Sequence, residues 1–164
     1  MIRIEDFFAG YPSQLKVAEL MLQYGISVRE NNAYVGTVKI ADAALASATG
    51  VDRRVVRSTI ERISMGREIN ALFSKIAPMA VLSEAADLIG CTSLEIVPED
   101  DARPGILAEI MGIISSAGLN IRQAVVSKGK DDPVSHLIIV VVGTVPGEVL
   151  ASIKESPNVA RIVL

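Results

Sequence analysis

DDARPGILAEIMGIISSAGLNI, residues 100–121, is the stretch whose reading decides the fold. It reads as an acidic turn, a helix opened by Pro104 and Gly105, and a Gly118-Leu119-Asn120 turn into a strand. Proline is tolerated in a first helical turn, where its missing N–H has no partner to lose. Glycine at 105 lets another molecule approach the backbone closely. The free N–H groups of Gly105, Ile106 and Leu107 then form a small anion site at the positive helix end, suited to a carboxylate.

Working outward, Leu94–Val97 is strand-like, and Leu107, Ile110, Met111 and Ile114 give the helix one apolar face. Residues 120–128 are expected to be a strand, 129–133 a polar turn, and 135–143 a long apolar strand. A short helix over 146–155 and a last strand over 159–164 complete the pattern. The order β-α-β-β-α-β is that of the ferredoxin-like split motif. Its loops have the ordinary short lengths.

That order, with Asp101-Ala102-Arg103-Pro104-Gly105-Ile106-Leu107 after the first strand and Gly118-Leu119-Asn120-Ile121 before the second, resembles the ACT domain. This is a small ligand-binding module of enzymes and regulators of amino-acid metabolism. The resemblance spans residues 92–164. It implies a homodimer or higher oligomer with an effector amino acid at the interface of two such domains. It also implies that the turn before Pro104 contacts the ligand in one subunit and that Asn120 reaches it from the neighbour. Some members place a His and an Asn shortly before the Arg-Pro-Gly, where this chain has Asp100 and Ala102, so serine-like recognition does not carry over.

The residues themselves suit a zwitterion. Its carboxylate would take N–H groups near Gly105 and Ile106. Its ammonium would take Asp100 or Asp101, and Asn120 offers both a donor and an acceptor. With Arg103 and Leu107 these residues form the expected ligand set. The competing reading makes Asp100 and Asp101 a solvated turn favoured by the helix dipole.

Upstream, Ser13 is an expected N-cap for a helix whose Val17, Leu20, Met21 and Tyr24 form a stripe ended by Gly25. Residues 26–38 are irregular, with Glu30-Asn31-Asn32 as a turn between short extended pieces, the pattern of a small hairpin. Residues 41–63, ADAALASATGVDRRVVRSTIERI, then read as two helices. Asp42 is placed to cap the first, Gly50 breaks it, and Asp52 caps the second. In that second helix Val56, Ile60 and Ile63 face inward, and Arg53, Arg54, Arg57, Ser58 and Glu61 face out. Small residues at the crossing, a glycine in the turn and a basic outer face resemble the DNA-binding helix-turn-helix of prokaryotic repressors. Arg53, Arg54, Arg57 and Ser58 are the expected DNA contacts. The alternative is a solvated face with Asp52 and Glu61 as ion-pair partners.

Residues 67–76 and 82–89 each show an apolar stripe, Ile69, Leu72, Phe73 and Ile76 in one, Leu82, Ala85, Ala86 and Ile89 in the other. The division expected is therefore an all-α helix-turn-helix module over 1–65, connector helices over 66–90, and an ACT-like α+β domain over 91–164.

Bulk properties narrow the rest. Aromatics are 4% of the 164 residues and Trp is absent, so the core is aliphatic. Residues 1–80 hold ten Lys/Arg and eight Asp/Glu, a net of +2; residues 81–164 hold six and eleven, a net of −5. Such asymmetry suggests modules with different partners. The longest apolar run, Leu137–Val142, is far short of the roughly 20 residues that cross a bilayer. A single Cys91 fits a reducing cytoplasm, and one His with one Cys argues against a zinc site within the chain. Cys91 is read as a small junction residue and His136 as a strand-end polar group. No phosphate-binding glycine loop occurs, and no nucleophile has a supporting base. Glu99, Asp100 and Asp101 are a weak metal candidate, since consecutive carboxylates on an extended turn diverge.

The expectation is a cytoplasmic, non-enzymatic, homodimeric regulator without a cofactor or membrane contact, binding operator DNA and a small effector. In architecture it is similar to archaeal ACT-containing regulators of amino-acid metabolism, and in layout to the Lrp/AsnC regulators. The alternative is a protein that regulates an amino-acid enzyme by contact, without DNA.

Overall fold

Two helices joined by a tight turn hold the centre of the first half. α3 (Asp42–Thr49) ends on Gly50 at φ +66, and the Val51 N–H returns to the carbonyl of Ala46 at 3.1 Å. This closes the last turn in a Schellman arrangement. The Thr49 hydroxyl, buried, donates to Leu45 O at 2.7 Å. α4 (Arg53–Met65) starts at once, with the Asp52 side chain accepting from Arg54 N at 2.7 Å. Val56, Ile60 and Ile63 are fully buried, as their spacing requires. Asp42 does not cap α3. It is the first helical residue, behind Ala41, and its carboxylate turns toward Arg57 instead.

The computed structural model describes residues 3–128 and 134–164, and these divide into two compact units, Met1–Ala80 and Val81–Leu164. Among the described residues the chain is α+β, with seven α-helices and two antiparallel sheets. No helix among the described residues is long and apolar enough to cross a membrane.

Around α3 and α4 the first unit adds α1 (Ile4–Phe7), α2 (Pro12–Gln23) and α5 (Arg67–Phe73). α2 is capped by Tyr11, with Pro12 at its first position, so Ser13 lies inside the helix and not at its cap. Val17 and Met21 are buried, whereas Tyr24, beyond the helix end, is 58% exposed. The unit is not all-α. β1 (Ser27–Arg29), β2 (Asn32–Val35) and β3 (Val38–Ile40) form a three-stranded sheet in that order. Arg29 pairs with Asn32 across a two-residue turn in which Glu30 and Asn31 both have positive φ, +48 and +57. Left-handed residues at both positions match the twist of a hairpin. The sheet supplies Val28 and Ala33 to a core with Phe8, Met21, Leu45, Ile60 and Phe73.

Ile69 and Phe73 of α5 belong to that same core, so residues 66–80 complete the first unit. Residues 81–90 belong to the second unit and form two short 3-10 turns, Ser83–Ala85 and Asp87–Ile89, where an α-helical stripe was expected. Ala86 packs directly on Cys91 and Val140, which lays this segment flat on the sheet and leaves Ile89 42% exposed.

The second unit runs β4 (Cys91–Pro98), α6 (Ile106–Ser116), β5 (Ile121–Lys128), β6 (Ser135–Val142), α7 (Gly147–Lys154) and β7 (Val159–Val163). Its sheet is antiparallel throughout, in the order β5-β6-β4-β7. Alternation puts Leu94, Ile96, Leu137, Ile139 and Val141 on one face, against Ile106, Ile110 and Ile114 of α6 and Val149 and Ile153 of α7. The polar turn expected at 129–133 lies outside the described residues. α6 begins two residues later than the sequence suggests. Pro104 precedes the helix, Gly105 is its N-cap at φ +96, and Ile106 is its first residue. The buried stripe is therefore Ile106, Ile110, Ile114, and Leu107 is left 42% exposed.

Candidate functional site

The start of α6 opens onto a cavity of about 160 Å³. Its floor is apolar: Pro98 from the end of β4, Ile106, Val126 of β5 and Leu137 of β6. Asp101, Arg103 and Ser135 supply its polar groups, and Gly105 and Leu107 complete the wall. No side chain caps α6, so its first N–H groups keep the partial positive charge of a helix N-terminus. An apolar cavity of about 150 Å³ is large enough for a benzene-sized solute.

Five of the seven residues expected to hold a ligand line this cavity: Asp101, Arg103, Gly105, Ile106 and Leu107. Asp100 does not. Its carboxylate accepts from Ala102 N at 3.0 Å and its carbonyl from Arg103 N at 3.2 Å, so it shapes the turn. Asp101 spans to β6, where its carboxylate accepts from Ser135 N at 2.9 Å. Asn120 lies just before β5, exposed, with its carbonyl accepting from Val142 N at 2.8 Å. It is not part of the cavity in its own chain. Pro98, Val126, Ser135 and Leu137 escaped the sequence reading because they reach the cavity through strand pairing, for which a local motif has no signal.

A second cluster holds the same helix further along. Glu109, half-buried in α6, accepts from the Ser156 hydroxyl at 2.6 Å and from Asn158 Nδ2 at 2.6 Å. Hydrogen bonds from Ser156 and then Asn158 hold its carboxyl below the usual carboxylate range, with Arg103 adding attraction and burial opposing. A depressed folded-state pKa contributes stability above the ordinary carboxylate range, which is lost as pH falls through it. Glu109→Gln is therefore expected to destabilise the protein near neutral pH, with a deficit that shrinks as pH falls below the ordinary carboxylate range. Urea unfolding at neutral and at acid pH measures this, and the same difference in midpoint at both would refute it.

The expected DNA contacts separate into two pairs. Arg53 and Arg54 are exposed at the start of α4. Arg57 is committed inside the unit. Its Nε lies 3.1 Å from Glu61 Oε1, its Nη1 lies 3.7 Å from Asp42 Oδ2, and its Nη2 donates to the carbonyl of Asn31 in the β1–β2 turn. Ser58 packs against α2, accepting from Gln14 Nε2 at 2.9 Å and donating to Val55 O at 2.9 Å.

The single histidine, His136, is buried on the sheet face opposite α6, with Nδ1 against the Glu95 carboxylate. Cys91 is a buried free thiol beside Ala86 and Val140. Among the described residues no three His, Cys, Asp or Glu side chains converge on a point that would hold a metal.

No family model and no curated protein matches this chain. Among solved structures, one described as "Crystal structure of PH0061" covers 92% of this chain and 87% of its own, at 8% identity and a TM-score of 0.30. That likeness is too low to carry an argument about fold or function.

Proposed function

We propose that this chain is an amino-acid-responsive regulator of transcription. The observation that carries the reading is the cavity at the uncapped start of α6, with Arg103 and Asp101 beside an aliphatic floor. A ligand carboxylate is attracted by the helix N-terminus and by Arg103, and a ligand ammonium by Asp101. The floor of Pro98, Ile106, Val126 and Leu137 suits an aliphatic side chain. The β-α-β-β-α-β order and the strand order β5-β6-β4-β7 support a ferredoxin-like, ACT-type sensor. In that arrangement a second copy brings its Asn120 to the ligand.

In the first unit, the α3-turn-α4 geometry supports a helix-turn-helix, with Arg53 and Arg54 on the DNA-facing end of α4. The chain passes from this unit to the sensor at residues 80–81. A ligand that alters DNA affinity needs only about 1–3 kcal/mol of coupling between the two.

One observation favours a second reading, regulation of an enzyme by contact. Asp42 and Glu61 neutralise Arg57, leaving fewer free cations on the α4 face than its sequence implies.

A thermal-shift series over the common amino acids tests the sensor. L-Leucine at about 100 times its Kd is expected to add about 2.7 kcal/mol of stability, and Arg103→Ala to remove that gain while leaving the unliganded protein folded. An equal gain in both proteins would move the site elsewhere. A gel shift with promoter DNA, with and without leucine, tests the regulator. DNA binding that ignores the ligand refutes the coupling, and no DNA binding leaves the contact reading.

A further inference from the structure

Two walls of the α6 cavity are fastened to one residue outside it. Asn158, in the loop between α7 and β7, donates its Nδ2 to Glu109 Oε2 at 2.6 Å, at the end of the first turn of α6. Its backbone carbonyl accepts from the N–H of Glu99 at 3.1 Å. Glu99 follows Pro98 and opens the turn that carries Asp101 and Arg103 to the cavity. The helix and the turn are thus linked through a residue some fifty positions away, Glu109 lying 49 residues from Asn158.

The linkage has a defined polarity. Ser156 donates to the other oxygen of Glu109 at 2.6 Å, so the carboxylate receives a donor on each side. Among the described residues Asn158 Oδ1 is buried without a hydrogen-bond partner, so the bond to the Glu109 carboxylate orients the amide. Turning the amide over would set two acceptors face to face. Of the charged groups around Glu109, Arg103 attracts it from the turn, Glu148 of α7 lines the same outer groove, and Glu99 heads the turn itself.

We propose that Asn158 is the positioning residue of the ligand pocket, setting the distance between the start of α6 and the turn 99–103 by bonding to both. It touches no ligand. It acts through Glu109 and Glu99, and through the bond to Glu109 it also steadies the carboxylate that attracts Arg103. The inference rests on the cavity being an amino-acid site.

The decisive variant is Asn158→Asp, which keeps size and backbone but replaces the donor by an acceptor. Two ionised carboxylates at this separation repel, so near neutral pH residues 109 and 158 are pushed apart. Measured on the full chain near neutral pH, amide protection is expected to fall about tenfold, jointly at the bonded amides of Glu99, Ala102 and Arg103 in the turn and of Glu109 in α6. L-Leucine affinity by calorimetry is expected to fall by about tenfold as well. In mild acid the carboxyl pair shares a proton and becomes donor and acceptor again, so both losses shrink. The wild type, which has no such pair, gains nothing there. Glu109→Gln, which keeps one accepting oxygen, is expected to act in the same direction and less strongly, and serves if the aspartate variant fails to fold.

Loss of protection in only one wall, or throughout the second unit, overturns the proposal. So does an unchanged leucine affinity in a variant whose walls have loosened; in that case the pocket reading stands and the positioning claim falls. A wild type that does not bind leucine removes the pocket reading first, whatever the exchange data show, and the positioning claim with it.

Discussion

Gly25→Ala is expected to destabilise the first unit by about 2–5 kcal/mol, enough to unfold it or bring it close to unfolding. Two independent effects add. Gly25 sits at φ +62, where an L side chain costs about 1–2 kcal/mol. A Cβ built there would lie 2.4 Å from the Ala77 carbonyl oxygen and 2.6 Å from Pro78 N. Those atoms are backbone, so no side-chain rotation relieves the clash. The segment leaving α5 has to move off the α2–β1 junction, with an overpacking cost of about 1–3 kcal/mol. Gly36, also at positive φ but with nothing within 4 Å of its would-be Cβ, is the control. Gly36→Ala carries the conformational cost alone. Chemical unfolding of the two variants measures the difference, and equal losses would show that Ala77 and Pro78 do not press on Gly25.

Gly25 also shows what a sequence can and cannot disclose. A glycine after the stripe Val17, Leu20, Met21 is legible as a helix stop. The close approach of Ala77 is not, because it comes from the far end of the unit. The same contrast recurs elsewhere. In the second unit, β5, β6, α7 and β7 lie within about two residues of their expected spans, because long apolar runs alternate with clear glycine and proline breaks. In the first unit the β1–β2 hairpin was legible from its Glu30-Asn31-Asn32 turn, whereas β3 was not, because strands of three or four residues are too short for a period to register. Asp52 as a cap was readable from its place before an apolar stripe. Asp42 looked equivalent, but a cation 15 positions downstream claims its carboxylate.

At the cavity the legible part was the part written in one stretch, Asp101 to Leu107. The strand residues and the Glu109–Ser156–Asn158 cluster come from segments brought together only by the β-α-β-β-α-β topology. Ser156-Pro157-Asn158 reads in isolation as an ordinary turn.

The four residues expected to meet DNA are predicted to behave as two unlike pairs, and the size of the difference makes them a sharp test. Arg54→Ala should cost about 1–3 kcal/mol of DNA affinity if that side chain reads a base edge, with no change in stability. Arg53→Ala should lower the salt slope of binding by about 1 if it meets a phosphate. Arg57→Ala should do neither in the first instance. It should destabilise the unit by about 1–3 kcal/mol, because the Asn31 carbonyl loses its donor and the half-buried Asp42 carboxylate loses its ion-pair partner. Its DNA defect, if the unit stays folded and the proposed binding holds, should come as weaker binding with an unaltered salt slope, since the α3–α4 pair is loosened and no phosphate contact is lost. Unfolding curves together with binding at several salt concentrations separate these outcomes. A reduced salt slope and unchanged stability in Arg57→Ala would return that guanidinium to the DNA surface. Full affinity in both Arg53→Ala and Arg54→Ala would remove the proposed DNA-reading role from α4 and transfer the weight to regulation by protein contact.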